Sequence, residues 1–285
     1  MAFSRIQEYI NTGDGTAGTL LIPKLILPPM IEAAEKALLP REMAAFVKTN
    51  IPGSSFSVNL ETPDSMSIEE VGEGVEVMLS KQDYSSVTFT PVKYGVAIRI
   101  TREMMEDSQF DLLEANLRTA GKRFSENETQ LILSALDGAN ATTAGGVAIT
   151  IANIAESMYD VRSNDYNATD FIFGDEILQD LQNIDTFVEA DKAGNTQLMS
   201  TGFIGAIFGM KCARFSSSTK VCPSTSHPKY GYIFDRAQTY GIAIKRDITV
   251  ENVTLPTYDM EGAVITQRID VQLLRSKAVS RITTS

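Results

Sequence analysis

The stretch Val71–Ile100, VGEGVEVMLSKQDYSSVTFTPVKYGVAIRI, alternates apolar and polar residues as half-buried strands do. Val75, Val77 and Leu79 share one face, and Val87 and Phe89 continue it. After Pro91 the apolar set moves to Tyr94, Val96, Ile98 and Ile100. A one-residue slip in a strand sends every side chain to the opposite face. The chain is therefore expected to kink or bulge near Pro91–Val92, or to cross there between two regions. Upstream, Phe56, Val58 and Leu60 mark a companion strand. Residues 49–92 carry seven acids (Glu61, Asp64, Glu69, Glu70, Glu73, Glu76 and Asp83) against Lys81. That net −6 is more than half of the whole chain's −11. A two-stranded ribbon with so little apolar surface is marginal alone. It is expected to project from the body and to be stabilised by a neighbour.

On the N-terminal side, NTGDGTAGTLLIPKLILPP (residues 11–29) is turn-rich, then extended. Pro23, Pro28 and Pro29 exclude a regular helix or a central strand. Leu20, Leu21, Ile22, Leu25, Ile26, Leu27, Met30 and Ile31 are too apolar for a free tail, so the arm must lie on another surface. A helix follows over MIEAAEKALLPRE, with Ile31, Ala34 and Leu38 on one face, ending near Pro40. On the C-terminal side of the opening stretch, Thr101 is placed to cap a short helix, REMMEDS. Asp111 and Glu114 have the spacing of a capping box for a long helix over 112–137. Leu113, Leu117, Ala120, Phe124 and Leu131 supply its apolar stripe, Glu114–Arg118 and Lys122–Glu126 its i,i+4 pairs, and Gly138 its end. At about 39 Å it suits a structural spine. Residues 150–260 read as an α/β unit. It has a helix over IANIAESMYDVR, a strand at Phe171–Phe173, a turn and a further helix, then short strands punctuated by glycine. The tail, from Ala263 to Ile282, alternates again and is basic, with Arg268, Arg275, Lys277 and Arg281 against Asp270.

The 285 residues, 43% of them hydrophobic, suffice for one large domain or two moderate ones. A net charge of −11 is a poor basis for sequence-specific DNA binding, which needs clustered Lys and Arg on phosphates. The most apolar segment, Leu20–Ile31, is interrupted by Lys24 and its prolines and does not span a bilayer. No basic-then-apolar export signal opens the chain, and Cys212 and Cys222 are read as free thiols. Gly13–Gly18, GDGTAG, matches G-x-G-x-x-G. It lacks the strand before and the helix after that a dinucleotide site requires, and reads as an arm hinge. The only histidine, His227, is expected to be a surface loop residue. There is no Cys-x-x-Cys pair, no G-x-S-x-G elbow and no P-loop. The acidic run Glu69–Glu76 lacks EF-hand spacing. No catalytic residue, cofactor site or metal site is assigned.

The order of these parts resembles the major capsid proteins of tailed phages and related viruses, the Hong Kong 97 fold family. EEVGEGVEV (Glu69–Val77) looks like that family's acidic Gly-Glu-Gly stretch, and TFTPVKYGVAIRITREMMEDS (Thr88–Ser108) like the strand entering its spine region. FIFGDEILQDL (Phe171–Leu181) and RIDVQLLRSKAVSRI (Arg268–Ile282) look like its axial strand–helix and its closing strands. Each motif is weak alone; their order over nearly the whole chain is the stronger signal.

The resemblance implies an α+β, Hong Kong 97-type fold. Its parts would be an N-arm over 1–48, an E-loop hairpin over 49–92 and a P-domain over 93–149 containing the spine helix. An α/β A-domain over 150–262 and returning P-domain strands over 263–285 would complete it. It implies a non-enzymatic shell subunit of an icosahedral virion. Pentamers and hexamers would enclose double-stranded DNA without sequence-specific binding, without a membrane, and with assembly in the host cytoplasm. Scaffolding, portal and decoration proteins are the expected partners. Some members carry a long N-terminal scaffolding segment; here the arm starts at Met1, so scaffolding is expected to be separate or absent. Inter-subunit contacts are expected from Glu69, Glu70, Glu73, Glu76, Val77, Leu79 and Lys81 in the loop, and from Leu21, Ile22, Leu25, Ile26 and Leu27 in the arm. Arg275, Lys277 and Arg281 are candidate basic partners for the acidic loop. Some members weld subunits through a Lys–Asn bond. Lys81 is the loop's lysine, but no partner such as Asn252 can be aligned, and it reads as a surface residue. An encapsulin-like cargo shell is the alternative function, and an α/β enzyme or ligand-binding protein a remote one.

Overall fold

The computed structural model describes residues 41–62, 68–107, 112–139, 141–144, 146, 148–184, 206–218, 221–222, 224 and 226–284. The arm residues Leu21, Ile22, Leu25, Ile26 and Leu27, most of the Met30–Glu42 helix, the Gly13–Gly18 hinge and the Asp111 cap lie outside the described residues.

The first strands are β1 (Phe46–Thr49), β2 (Phe56–Glu61), β3 (Tyr84–Phe89) and β4 (Val92–Thr101). Two helices follow, α1 (Arg102–Asp107) and α2 (Leu112–Leu136), then β5 (Ala141–Ala144), α3 (Ile151–Arg162), β6 (Asp170–Phe173) and α4 (Asp175–Gln182). The remaining strands are β7 (Ala206–Ile207), β8 (Met210–Arg214), β9 (Tyr230–Phe234), β10 (Tyr240–Leu255), β11 (Met260–Leu273) and β12 (Val279–Thr283). They form a four-stranded sheet in the order β1-β10-β11-β4, a six-stranded sheet in the order β5-β12-β9-β6-β8-β7, and the β2–β3 ribbon.

The phase flip of the opening stretch has a structural cause. Phe89 ends β3 fully buried, between the rings of Phe46 (5.8 Å) and Phe56 (6.1 Å), in a cluster with Ile51 and Ala243. It roots the ribbon in the body. The chain then breaks at Thr90–Pro91, where β11 holds it: the Thr90 N–H donates to Asp270 (2.6 Å) and Arg268 donates to the Pro91 carbonyl (3.2 Å). β4 restarts on the other phase, paired with β11 from Val92↔Ile269 to Thr101↔Met260. Tyr94 and Ile98 now pack against α2. Two burial surfaces therefore meet at Pro91.

The helix α2 crosses between the sheets. Its first half seats Leu117, Ala120 and Phe124 on Ala263 and Ile265 of β11. Its last turns place Ile132, Leu133 and Leu136 in a cluster with Ile172, Tyr232 and Phe234 of one sheet and Ile242 and Ile269 of the other. The Glu114–Arg118 pair forms at 2.8 Å. Glu126, expected to pair with Lys122, instead pairs with Arg123 at 2.7 Å, because its side chain is turned inward beside that residue. Gly138 does not adopt a left-handed C-cap; it lies where a Cβ would come 2.8 Å from the Leu273 Cδ2, so a larger residue there would push that side chain aside. The Thr101 hydroxyl accepts from the Met104 N–H (3.3 Å), capping α1.

Three expectations change. No strand forms over Val75–Leu79: ribbon pairing stops at Glu61↔Tyr84, so this segment has no partner strand to satisfy its backbone. The short strands expected across 231–253 include one long one, β10, whose second half pairs with β11 down to Leu255↔Met260. The division drawn at 262 does not coincide with a change of sheet. β10 lies with β4 and β11 in the four-stranded sheet, whereas β12, placed with the returning strands, pairs with β9 in the six-stranded one.

Candidate assembly surfaces

The loop beyond the ribbon has few bonds of its own. Gly74 takes a positive φ of 82°, and the Val75 N–H donates to the Gly72 carbonyl (3.2 Å), making one tight turn. Glu69, Glu70, Glu73, Glu76, Val77, Leu79 and Lys81 are all exposed. Leu79 is 97% exposed, and Ile68, Val75, Val77 and Met78 stand in solvent with it. Apolar side chains in such a row on a charged loop are unlike singly scattered surface residues and form a candidate contact surface.

The basic candidates differ among themselves. Lys277 is exposed in the short turn between β11 and β12. Arg275 donates to the Tyr166 hydroxyl (3.4 Å). Arg281 donates to Thr142 (3.3 Å), lies 3.8 Å from Asp137 and stacks 5.0 Å from the Tyr230 ring centroid. Two of the three are thus engaged within their own chain. Lys81 and Asn252 are both exposed.

Asp137 gathers a polar cluster that has no local mark in the sequence. His227 is 2% exposed, not a surface loop residue. The Ser224 N–H donates to its Nδ1 (3.1 Å), which leaves the proton on Nε2, 2.7 Å from Asp137 Oδ2. The Tyr232 hydroxyl donates to Asp137 Oδ1 (2.7 Å). Burial pushes the Asp137 carboxyl upward, but the hydrogen bonds from His227 and Tyr232 and the nearby charge of Arg281 outweigh it, holding it below the usual 3.8. Burial and the bond to Asp137 push the Tyr232 phenol well up. The histidine's other partner is a backbone amide, so its ring nitrogen does not face a hydroxyl that it could activate. It pins the end of α2 to β9 and β12. His227 could be found only through the fold: Asp137 lies 90 residues away in sequence.

Cys212 and Cys222 are free and buried, and burial pushes their thiols up to about 12 and about 11. Such thiols are inert at neutral pH. Among the described residues no three His, Cys, Asp or Glu side chains gather as a metal site, and no helix is long and apolar enough to cross a membrane.

Comparison with known proteins places this geometry. Residues 84–270, more than half of the chain, match the model of a family described as phage capsid protein. Among solved structures, the mature capsid of bacteriophage PhiM1 superposes with a TM-score of 0.66 at 9% identity, covering 86% of each chain. A Mycobacterium phage Che8 structure superposes at 0.67 with 13% identity, covering 81% of this chain and 84% of its own. The capsid of a native GTA particle superposes at 0.65 with 13% identity, covering 89% and 90%. At these identities the likeness is one of fold. No curated protein matches the chain.

Proposed function

The chain belongs to the phage capsid protein family and is a major capsid protein of the Hong Kong 97 fold, and from that premise we propose how it builds a shell. Copies assemble as pentamers and hexamers of an icosahedral virion shell around double-stranded DNA, formed in the host cytoplasm. The chain's role is structural. Its parts are an arm over 1–48, the projecting loop over 49–92, the spine region and the α/β unit. Scaffolding and portal proteins, and possible decoration proteins, complete the particle.

The observation that carries this reading is the row of exposed apolar residues from Ile68 to Leu79, beyond a ribbon rooted in the body around Phe89. A monomer gains nothing from such a loop. In a shell it lies on a neighbouring copy, with Glu69, Glu70, Glu73, Glu76 and Lys81 around Val77 and Leu79. The arm residues Leu21, Ile22, Leu25, Ile26 and Leu27 reach across in the same way. Apolar burial contributes about 25 cal/mol per Å². Many such modest contacts, repeated round a closed shell, sum to a stable particle. The acidic body encloses DNA without gripping it.

Replacing Glu69–Leu79 by a short Gly-Ser linker tests this. The expected result is an unchanged circular dichroism spectrum and thermal midpoint, with loss of nearly all fast-sedimenting particles. Particles at normal yield from the linker variant would overturn the role given to the loop.

A further inference from the structure

The chain's single histidine has a partner on each ring nitrogen, and the two partners make opposite demands. His227 opens a short 3-10 turn, His227–Lys229, and is 2% exposed. Its Nε2 lies 2.7 Å from the Asp137 carboxylate at the end of α2, a contact that needs a proton on Nε2. Its Nδ1 accepts from the Ser224 backbone N–H at 3.1 Å, a contact that needs a bare nitrogen. Only the neutral ring, protonated on Nε2, satisfies both. A second proton has nowhere to go but Nδ1, where it meets the Ser224 N–H donor against donor.

The surroundings decide which contact yields. Asp137 holds the ring through Nε2–H whether the ring is neutral or charged. Tyr232 of β9 donates to the other oxygen of that carboxylate, and Tyr230 lies 5.1 Å from the His227 ring. Arg281 of β12, 3.8 Å from Asp137, already brings one positive charge to the carboxylate, and Lys229 follows in the turn itself. On α4, against which the turn packs, Asp175 accepts from Ser217 (2.8 Å) and Glu176 is exposed. The Cys222 thiol is buried and neutral. The far half of the turn is fastened by backbone. The Thr284 N–H donates to the Lys229 carbonyl (3.1 Å), the Gly174 N–H donates to the Tyr230 carbonyl (3.1 Å), and Pro228 lies so close to Gly174 that no Cβ fits there. Ser224, by contrast, is exposed, and its other bonds are local: its carbonyl accepts from the His227 N–H (3.2 Å) and its hydroxyl from the Ser226 N–H (3.3 Å). Its amide can turn to water at little cost, whereas the ring is buried and held.

We propose that His227 is a proton-operated latch: a proton taken from solvent onto Nδ1 releases the Ser224 end of the turn, while the ring stays on Asp137. The device belongs to the single chain and does not rest on the shell reading. It makes the surface beside the end of α2 respond to acid over about pH 8 to 5, the range in which an imidazole changes charge. Asp137 keeps its own charge there, since its carboxyl titrates below 3.8. The open form binds one proton more than the closed form, so opening is favoured as the pH falls, by at most about tenfold per pH unit.

The untagged chain, labelled with nitrogen-15 at histidine, gives one imidazole, so its nitrogen shifts read His227 alone. At pH 8 the ring is expected to carry its proton on Nε2 only, and at pH 5 on both nitrogens. Over the same steps the protection of the Ser224 amide, corrected for the intrinsic pH dependence of exchange, is expected to fall roughly tenfold, with residues 170–173 of β6 unchanged. His227→Gln takes up no proton there, and its Ser224 protection is expected to change by less than about twofold. A charged ring with Ser224 protection intact overturns the proposal. So does a ring that stays neutral to pH 5, or an equal loss of protection in His227→Gln. If His227→Gln does not fold, β6 in the unmodified chain is the reference: loss at Ser224 alone supports the latch, and equal loss at both places overturns it.

Discussion

Asp137 shows how one residue ties this fold together. It ends the long helix, yet its carboxylate accepts from His227 and Tyr232 and faces Arg281, so three later segments close on it. Removing the charge should leave the His227 and Tyr232 donors short of an acceptor, at a cost of about 1–3 kcal/mol. Asp137→Asn is thus expected to lower the urea midpoint of the dissociated subunit with an unchanged slope. The pH dependence has a definite sign. The folded-state carboxyl titrates below its unfolded value of 3.8, so its stabilisation is fully present above that value. It is lost as the pH falls through the lower folded-state value. Between about pH 7 and about pH 3 the wild-type subunit should lose more stability than Asp137→Asn; parallel curves would remove Asp137 from this role. None of this was legible in the sequence. A lone histidine before a proline carries no local mark of burial, because its partner is set by packing between a helix end and a distant turn.

At the scale of elements, helices were read well and isolated strands less so, for a physical reason. A helix satisfies its own backbone, so the spacing of Leu117, Ala120 and Phe124 was enough to place α2 and its buried face. A strand exists only with a partner. Val75–Leu79 has the alternation of a strand and no partner strand among the described residues, and it stands as an exposed loop. The alternation is still informative if the partner is another copy. The phase flip at Pro91 was likewise legible, since a period of two records which face is buried on each side of the break. β10 was read as shorter because the glycines of this stretch suggested punctuation. In the structure the strand runs on through irregularities in the β10–β11 register near Arg246. The helix α2 carries the body: Leu133 is fully buried where both sheets meet. Leu133→Ala should cost about 2–5 kcal/mol in chemical denaturation. A substitution of exposed Lys122 should stay within about 0.5 kcal/mol. Equal effects at the two positions would contradict the placement of the core.

For the whole molecule, the order of a two-stranded ribbon, a long helix and a helix-bearing sheet unit was legible in the sequence. The contact surfaces were less legible. The Arg275, Lys277 and Arg281 group looked available because a sequence shows charge but not which charges are already engaged. The molecule as a whole has the character of a component: a well-packed body, carrying a loop whose apolar residues face solvent. Its central property is that copies complete one another. Sedimentation velocity of the purified unmodified chain over a rising concentration series, with negative-stain images of any fast fraction, tests that directly. The account predicts closed shells or capsomer-sized assemblies that grow with concentration. A single 31.1 kDa species at every concentration would contradict it.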